Sequence, residues 1–293
     1  MKITVAQGKH LEKHNLLTKF IRIFTVPLLN NLSISFIQKL MKKSSHDARR
    51  VLETVGSTHA LEVMYTRYHR SLFYRGILNG LADLFWHHAV SQPKALRNRL
   101  KIVEEKIEEE ISQLVNGDKD ATILTVGGGS SRALIHCIDR LYKKNLFDSH
   151  KIKVINVDKD KKAIELGKEL AQRFNLNHVF EWINDDARNL KSLIKPETID
   201  VVEMVGLLDY FSEERGIEVI GQIFNLLRKK GVFIVANIYP NSERIFVSKT
   251  GWPKMYYRTP EDLASILSKA GFTEEPTVIF EPLRVHIIQV VRK

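Results

Sequence analysis

Three short stretches of this sequence carry residues whose types and spacing could hold a ligand. The first, Val126-Gly127-Gly128-Gly129-Ser130-Ser131-Arg132, follows an apolar run and precedes a helical pattern. Glycines there let the backbone approach a ligand closely, and the following helix offers unpaired N–H groups at its positive end. The run fits G-x-G, with Ser131 where a dinucleotide fingerprint has its third glycine, and a plain tight turn would give the same letters. The second stretch, Val154-Ile155-Asn156-Val157-Asp158, ends in a carboxylate 31 residues after Gly127, followed by Lys159. An acid at such a strand end accepts hydrogen bonds from both ribose hydroxyls. Its other use is as a helix cap, for which Asp160 is better placed. In the third, Asn184-Asp185-Asp186-Ala187, a carboxylate could receive the amino group of an adenine. Lying in this order at the ends of successive strands, with Val205-Gly206 at the end of another, they point to a nucleoside-containing cofactor.

The elements that must position these residues are legible as alternating strands and helices from residue 120 onward. Strands are expected at Ala121–Val126, 152–157, 179–183, Ile199–Val205, 232–238, Thr277–Phe280 and 285–291, with amphipathic helices between them. That alternation predicts an α/β fold, a Rossmann-like doubly wound sheet with both faces covered. Thr259-Pro260-Glu261-Asp262 reads as a helix start and Gly271 as the stop after it. Residues 1–115 read as helical throughout. The helix starting near Ser91 and Pro93 carries an apolar stripe, Leu96, Leu100, Val103, Ile107, Ile111 and Leu114, with its glutamates mostly off the stripe. Asn116-Gly117-Asp118 stops it, which divides the chain into a helical N-terminal cap, 1–117, and a cofactor-binding domain, 118–293.

Composition narrows the classes further. The 293 residues are 44% hydrophobic and 27% charged, as expected of an ordinary folded core. One cysteine, Cys137, excludes a disulfide framework within the chain and a multi-cysteine metal site. His10 and His14 are four apart with no third ligand evident, so no metal is expected. With no long apolar span and no signal-peptide layout at Met1-Lys2-Ile3-Thr4, a cytoplasmic location is expected, peripheral to a membrane if the N-terminal segment binds one. Residues 1–50 hold ten Lys/Arg and two Asp/Glu, 10 − 2 = +8 of the net +11. Leu16, Leu17, Phe20, Ile21 and Phe24 fall at helical spacing around Lys19 and Arg22. Such a segment suits an anionic membrane surface or an acidic carrier protein, or packs on the rest with its lysines in solvent.

The order of motifs over residues 120–293 resembles the class I S-adenosylmethionine-dependent methyltransferases. The resemblance rests on the 126–131 loop, Asp158, Asp186-Ala187, Ile199-Asp200-Val201-Val202, Leu226-Leu227-Arg228-Lys229-Lys230-Gly231-Val232, and the helix start at Thr259. It implies a seven-stranded sheet with an antiparallel last strand. It also implies S-adenosylmethionine as cofactor, held by Gly127, Gly128, Gly129, Ser131, Asp158, Lys159, Asp185, Asp186, Ala187, Val205 and Gly206. Where the family has an acid before the first glycine, this chain has Thr125 or Thr122. Arg97-Asn98-Arg99, Gly206-Leu207-Leu208-Asp209-Tyr210-Phe211, Pro240–Arg244, Trp252 and Tyr257-Arg258-Thr259 are similar to a bacterial subgroup that includes the synthase of 3-hydroxypalmitic acid methyl ester.

Methyl transfer from a sulfonium is an in-line displacement that needs alignment and exclusion of water more than a fixed catalytic residue. A carboxylate acceptor needs no base, whereas a hydroxyl or amine can. The loop 239–258 is expected to dock a small-molecule or acyl acceptor, with Arg258 pairing its carboxylate, Tyr210, Tyr239, Tyr256 or Tyr257 lining the pocket and His69 facing it from the cap. Packing is the competing use of each aromatic. Glu203 stands out as a carboxylate inside an apolar strand. Three other functions fit parts of the pattern. The basic segment would suit an RNA methyltransferase, although it has no recognisable RNA-binding module. A helical N-terminal part on this sheet would suit a nicotianamine synthase-like aminocarboxypropyl transferase. The missing acid before Gly127 would suit a non-catalytic S-adenosylmethionine-binding regulator.

Overall fold

The computed structural model describes residues 1–66, 76–116, 120–144 and 151–293. One mixed sheet organises them. Its strands are β1 (Lys2–Val5), β2 (Ala121–Val126), β3 (Ile152–Asp158), β4 (Phe180–Asn184), β5 (Ile199–Val205), β6 (Leu227–Ile238), β7 (Thr277–Phe280) and β8 (His286–Arg292). They lie in the order β1-β7-β8-β6-β5-β2-β3-β4, and β8 is antiparallel to both of its neighbours while the other pairs are parallel. The order reverses between β2 and β5, where open α/β sheets form their ligand crevice.

Two sequence expectations are corrected here. The sheet has eight strands, not seven, and the N-terminal part is not helical throughout. Lys2–Val5 pairs with β7 in parallel, Ile3 beside Val278 and Val5 beside Phe280, and the Thr4 hydroxyl donates to the Val278 carbonyl at 3.2 Å. Ile3, Thr4 and Val5 are β-branched and favour a strand, but four residues carry no usable periodicity and the partner is some 270 residues away.

Helices α1 (Leu16–Asn31), α2 (Ile34–Ser44), α3 (His46–Glu53), α4 (Thr58–Tyr65), α5 (Ile77–His88) and α6 (Ser91–Asn116) precede β2. After it come α7 (Arg132–Lys143), α8 (Lys161–Arg173), α9 (Leu190–Leu193), α10 (Glu213–Leu226), α11 (Arg244–Lys249) and α12 (Pro260–Lys269). α6, α7 and α8 bury Val103, Ile107, Ile111, Leu134, Ile138 and Leu170 against one face of the sheet. α9, α10 and α12 bury Leu190, Ile220, Ile223, Leu263 and Leu267 against the other. A third cluster joins α2–α5 to Leu96 at the start of α6 and to Phe246 and Val247 of α11.

The apolar stripe of α6 therefore runs from the helical cluster at Leu96 onto the sheet at Val103, and the core continues across the point where the sequence pattern changes. Its glutamates fix the helix in place. Glu104 meets Arg140 at 2.7 Å and His136 at 3.0 Å, Glu108 meets Arg140 at 3.1 Å, and Glu110 reaches Arg292 of β8 at 2.8 Å. The first N–H of α6, on Ser91, donates to both oxygens of the buried Glu243 carboxylate, a favourable charge for that helix end.

Ile107 is fully buried, whereas Leu17 of α1 lies exposed. Ile107→Ala should lower unfolding stability by about 2–5 kcal/mol, and Leu17→Ala should stay within about 0.5 kcal/mol of the parent. Urea denaturation of the two variants checks this.

Candidate functional site

The glycine loop turns tightly between β2 and α7. Gly129 has φ +54°, and a Cβ on Gly128 would fall 2.1 Å from the Thr125 Oγ1, so the loop tolerates no side chain there. Asp158, at the end of β3, accepts from the Gly129 N–H through Oδ2 and from the Asp160 N–H through Oδ1, both at 2.8 Å. Burial raises its pKa, and these two backbone bonds partly offset that. Asp160 caps α8 by accepting from the Lys162 N–H, which leaves Asp158 free of capping. The Asn156 amide, buried in the same strand, donates to the Gly129 carbonyl at 3.3 Å and to the Ser131 hydroxyl. Beyond β4, Asp186 pairs with Arg188 at 2.8 Å, while Asp185 accepts from the Asp186 N–H and the Asn189 amide at 2.7 Å each.

A cavity of about 560 Å³ opens over these strand ends. Gly127, Asp158, Lys159, Asp186, Ala187, Val205, Gly206 and Tyr210 are on its wall. Gly128, Gly129 and Ser131 line a smaller adjoining space of about 70 Å³ together with Tyr65, Glu203 and Val205. Asp185 lines neither, being turned into its own turn.

The acceptor-side expectations fare differently. Arg258 is buried and lines neither cavity; its guanidinium donates to the carbonyls of Leu208 and Phe211 and to the Asn237 side-chain oxygen, so it fixes the 208–211 turn. Tyr239 packs edge-on against Phe280 at 5.1 Å, and Tyr257 is packed near Ala95 and Ile238; burial pushes the Tyr257 hydroxyl up to about 12. Tyr210 does reach the cavity, its hydroxyl accepting from the Trp252 indole at 2.8 Å and itself pushed up to about 12 by burial. His69 lies outside the described residues. His14 is held neutral to about pH 4, chiefly by burial, and no cluster of metal-ligating residues occurs among the described residues. Burial raises the Cys137 thiol well above its ordinary value, so it is no nucleophile.

Sequence reasoning singled out Glu203 but did not bring it together with Arg99 and Asp209 as the charged centre of the site. Arg99 of α6 is only 2% exposed, lines the cavity and lies over Gly206. It donates to the Tyr65 hydroxyl at 3.3 Å and stands 4.0 Å from the Asp209 carboxylate, and its Nε has no partner. Glu203 lies opposite Thr125 in the β2–β5 register and accepts from its hydroxyl at 2.6 Å. Burial raises the Glu203 carboxyl, and the hydrogen bond from Thr125 and the charge of Arg99 draw it back. Burial likewise pushes Asp209 up to about 6 against the opposing pull of Arg99 and of the Ile238 N–H, which donates to it at 2.7 Å. One signal could have found Arg99: it occupies a position three residues after Leu96 and four before Val103, a cation on the apolar stripe itself.

The model of the methyltransferase domain family matches residues 117–274, more than half of the chain. The chain belongs to that family. It is an S-adenosylmethionine-dependent methyltransferase. No curated protein matches it. Among solved structures, a possible exported protein from Bordetella parapertussis is similar over 92% of this chain and 96% of its own, with 14% identity and a TM-score of 0.67. The CurJ carbon methyltransferase matches over 88% and 69%, with 15% identity and a TM-score of 0.57. A protein described as a candidate O-methyltransferase from Nostoc punctiforme matches over 80% and 67%, with 18% identity and a TM-score of 0.51. At these identities the three share the fold with this methyltransferase.

Between the ordinary aspartate value of 3.8 and about 6, folded Asp209 holds a proton that the unfolded chain has released. Its contribution to stability therefore falls as pH rises through that window. Asp209→Asn should remove this part of the slope. Urea midpoints of parent and variant across the window should diverge, with the variant losing less stability on the alkaline side.

Proposed function

We infer that this methyltransferase transfers the methyl group to an oxygen of an apolar, fatty-acyl-like small molecule. The observation that carries this reading is the cavity wall beyond the strand ends, where Val51, Leu61, Met64, Trp86, Phe246 and Trp252 leave an apolar chamber under the helical cluster. Chambers of this kind orient a ligand with a few polar groups and bury the remainder in apolar surface. The subgroup resemblance of residues 206–211 and 257–259 supports the same acceptor class.

The arrangement of polar groups supports one orientation of the cofactor. Asp158 takes the ribose hydroxyls, with Lys159 beside it, and Asp186-Ala187 flank the adenine. Gly127–Gly129, Ser131 and Val205-Gly206 provide the backbone against which the methionine half lies. There the ammonium would face Glu203 and the carboxylate would face Arg99, two buried ionisable groups next to the glycine loop. In this reading Glu203, held opposite Thr125 on the neighbouring strand, would stand in for the carboxylate missing before Gly127. S-adenosylmethionine brings an activated methyl group, and the chain's own part is alignment and exclusion of water. Asp209 lies beside Tyr210 on the cavity wall, which His286 also lines, and a carboxyl near 6 is well matched to take a proton from a hydroxyl.

The parent should bind S-adenosylhomocysteine calorimetrically, and Asp158→Ala should weaken binding at least about ten-fold. Glu203→Gln should weaken S-adenosylhomocysteine while leaving 5′-methylthioadenosine, which lacks the amino-acid head, unchanged; equal losses for both would remove the Glu203 assignment. With a hydroxy fatty acid offered as acceptor, the co-product should be S-adenosylhomocysteine and the methyl should be found on oxygen. An ether product whose rate rises through pH 6 and is lost in Asp209→Asn identifies the hydroxyl route. A methyl ester with a flat profile identifies the carboxylate route, and turnover only with RNA would overturn the reading.

A further inference from the structure

The first two helices are docked the wrong way round for a soluble surface. On α1, Leu16 (84% exposed), Leu17, Phe20 (60%), Ile23, Phe24 (63%) and Leu28 point outward at steps of three and four, with Phe20 and Phe24 edge to face at 5.4 Å. The face turned inward is held largely by polar contacts. Arg22 donates to the Ala89 carbonyl and pairs with the buried Glu243, and the Asn30 side chain donates to the Ser242 carbonyl and accepts from the Phe246 N–H, at 2.8 and 2.9 Å. Val26 is buried and Leu29 packs on the helical cluster, but the six residues named above lie outside that contact. α2 continues the pattern with Ile34, Phe36 and Leu40 exposed.

Charge says what the face meets. Between Glu12 and Asp47 the chain has six Lys/Arg and no acid. Arg22 is engaged internally, while Lys13, Lys19, Lys39, Lys42 and Lys43 are exposed and form no ion pair among the described residues. We propose that α1 and α2 form a docking face for an anionic lipid surface, lying in the interfacial plane with Phe20, Phe24 and their neighbours inserted and the lysines on the headgroups. Leucine, isoleucine and phenylalanine flanked by lysines match that boundary, where apolar area and electrostatic attraction add. A second copy of this face would oppose lysine to lysine without a single compensating acid on either helix. No described helix is long and apolar enough to cross a membrane. The inference does not depend on the acceptor proposed above, but it places the enzyme where apolar acceptors concentrate.

The test is flotation of the full-length protein with vesicles of phosphatidylcholine alone and of an equimolar mixture of phosphatidylcholine and phosphatidylglycerol. Partition into the mixed vesicles should be at least about ten-fold stronger and should fall with added salt. Phe20→Ser with Phe24→Ser should cut it at least about ten-fold, and Lys42→Glu with Lys43→Glu should abolish the preference for the mixed vesicles. Both double variants should keep the parent's calorimetric affinity for S-adenosylhomocysteine, which separates a lost surface from a lost fold or a lost cofactor site. Equal binding of parent and Phe variant to the mixed vesicles would overturn the proposal. So would no vesicle binding by the parent, or a concentration-dependent dimer in sedimentation that the Phe variant abolishes. Binding only to an acidic carrier protein would do the same.

Discussion

A guanidinium removed from water must be compensated by charge or hydrogen bonds, and the way Arg99 is compensated connects the main parts of this molecule. It projects from α6, takes the Tyr65 hydroxyl from α4 and faces Asp209 from the turn after β5. Glu203, within β5, feels the same charge. Removing Arg99 would leave the buried Asp209 carboxylate without its facing cation, which is costlier than never having buried the pair. The helical layer is therefore tied to the sheet at the point where the sheet order reverses, and the cavity lies against that tie. The Arg99 Nε keeps no hydrogen-bond partner at this tie.

The long helix α6 makes this geometry rigid. Its N-terminal end belongs to the helical cluster through Leu96, and its later turns belong to the sheet through Ile107 and Ile111. Glu104 and Glu108 fix its rotation through Arg140, and Glu110 fixes it against the last strand. Since Arg99 sits between these two zones, its position over Gly206 follows from packing on both sides. Arg258 has a related task from the opposite side: its donors fasten the 208–211 turn that presents Asp209 and Tyr210. A residue that looked like a substrate anchor thus shapes the wall that substrate would meet.

Much of the framework was readable in the chain because it rests on local rules. Strand and helix periods, the glycines after β2, the acid ending β3 and the capping box at Thr259 and Asp262 each depend on neighbours within a turn or a strand length. The charged centre was not readable to the same degree. Glu203 could be flagged as misplaced in an apolar strand, but its partner Thr125 is 78 residues away and becomes a neighbour only through the parallel register. The outward face of α1 was visible as an apolar period; whether it pointed in or out depended on Arg22 finding Glu243, 221 residues later.

The sequence by itself determined the class of fold, the glycine loop after β2 and the positions of the acids at the strand ends, because hydrophobic period and turn chemistry act over a few residues. Tertiary structure decided the rest. It set an eighth strand at the edge, turned Arg258 away from the cavity, and brought Arg99, Glu203 and Asp209 together across three elements. Those outcomes depend on which distant surfaces meet and on how buried charges find compensation, and neither is encoded at any single stretch of the chain.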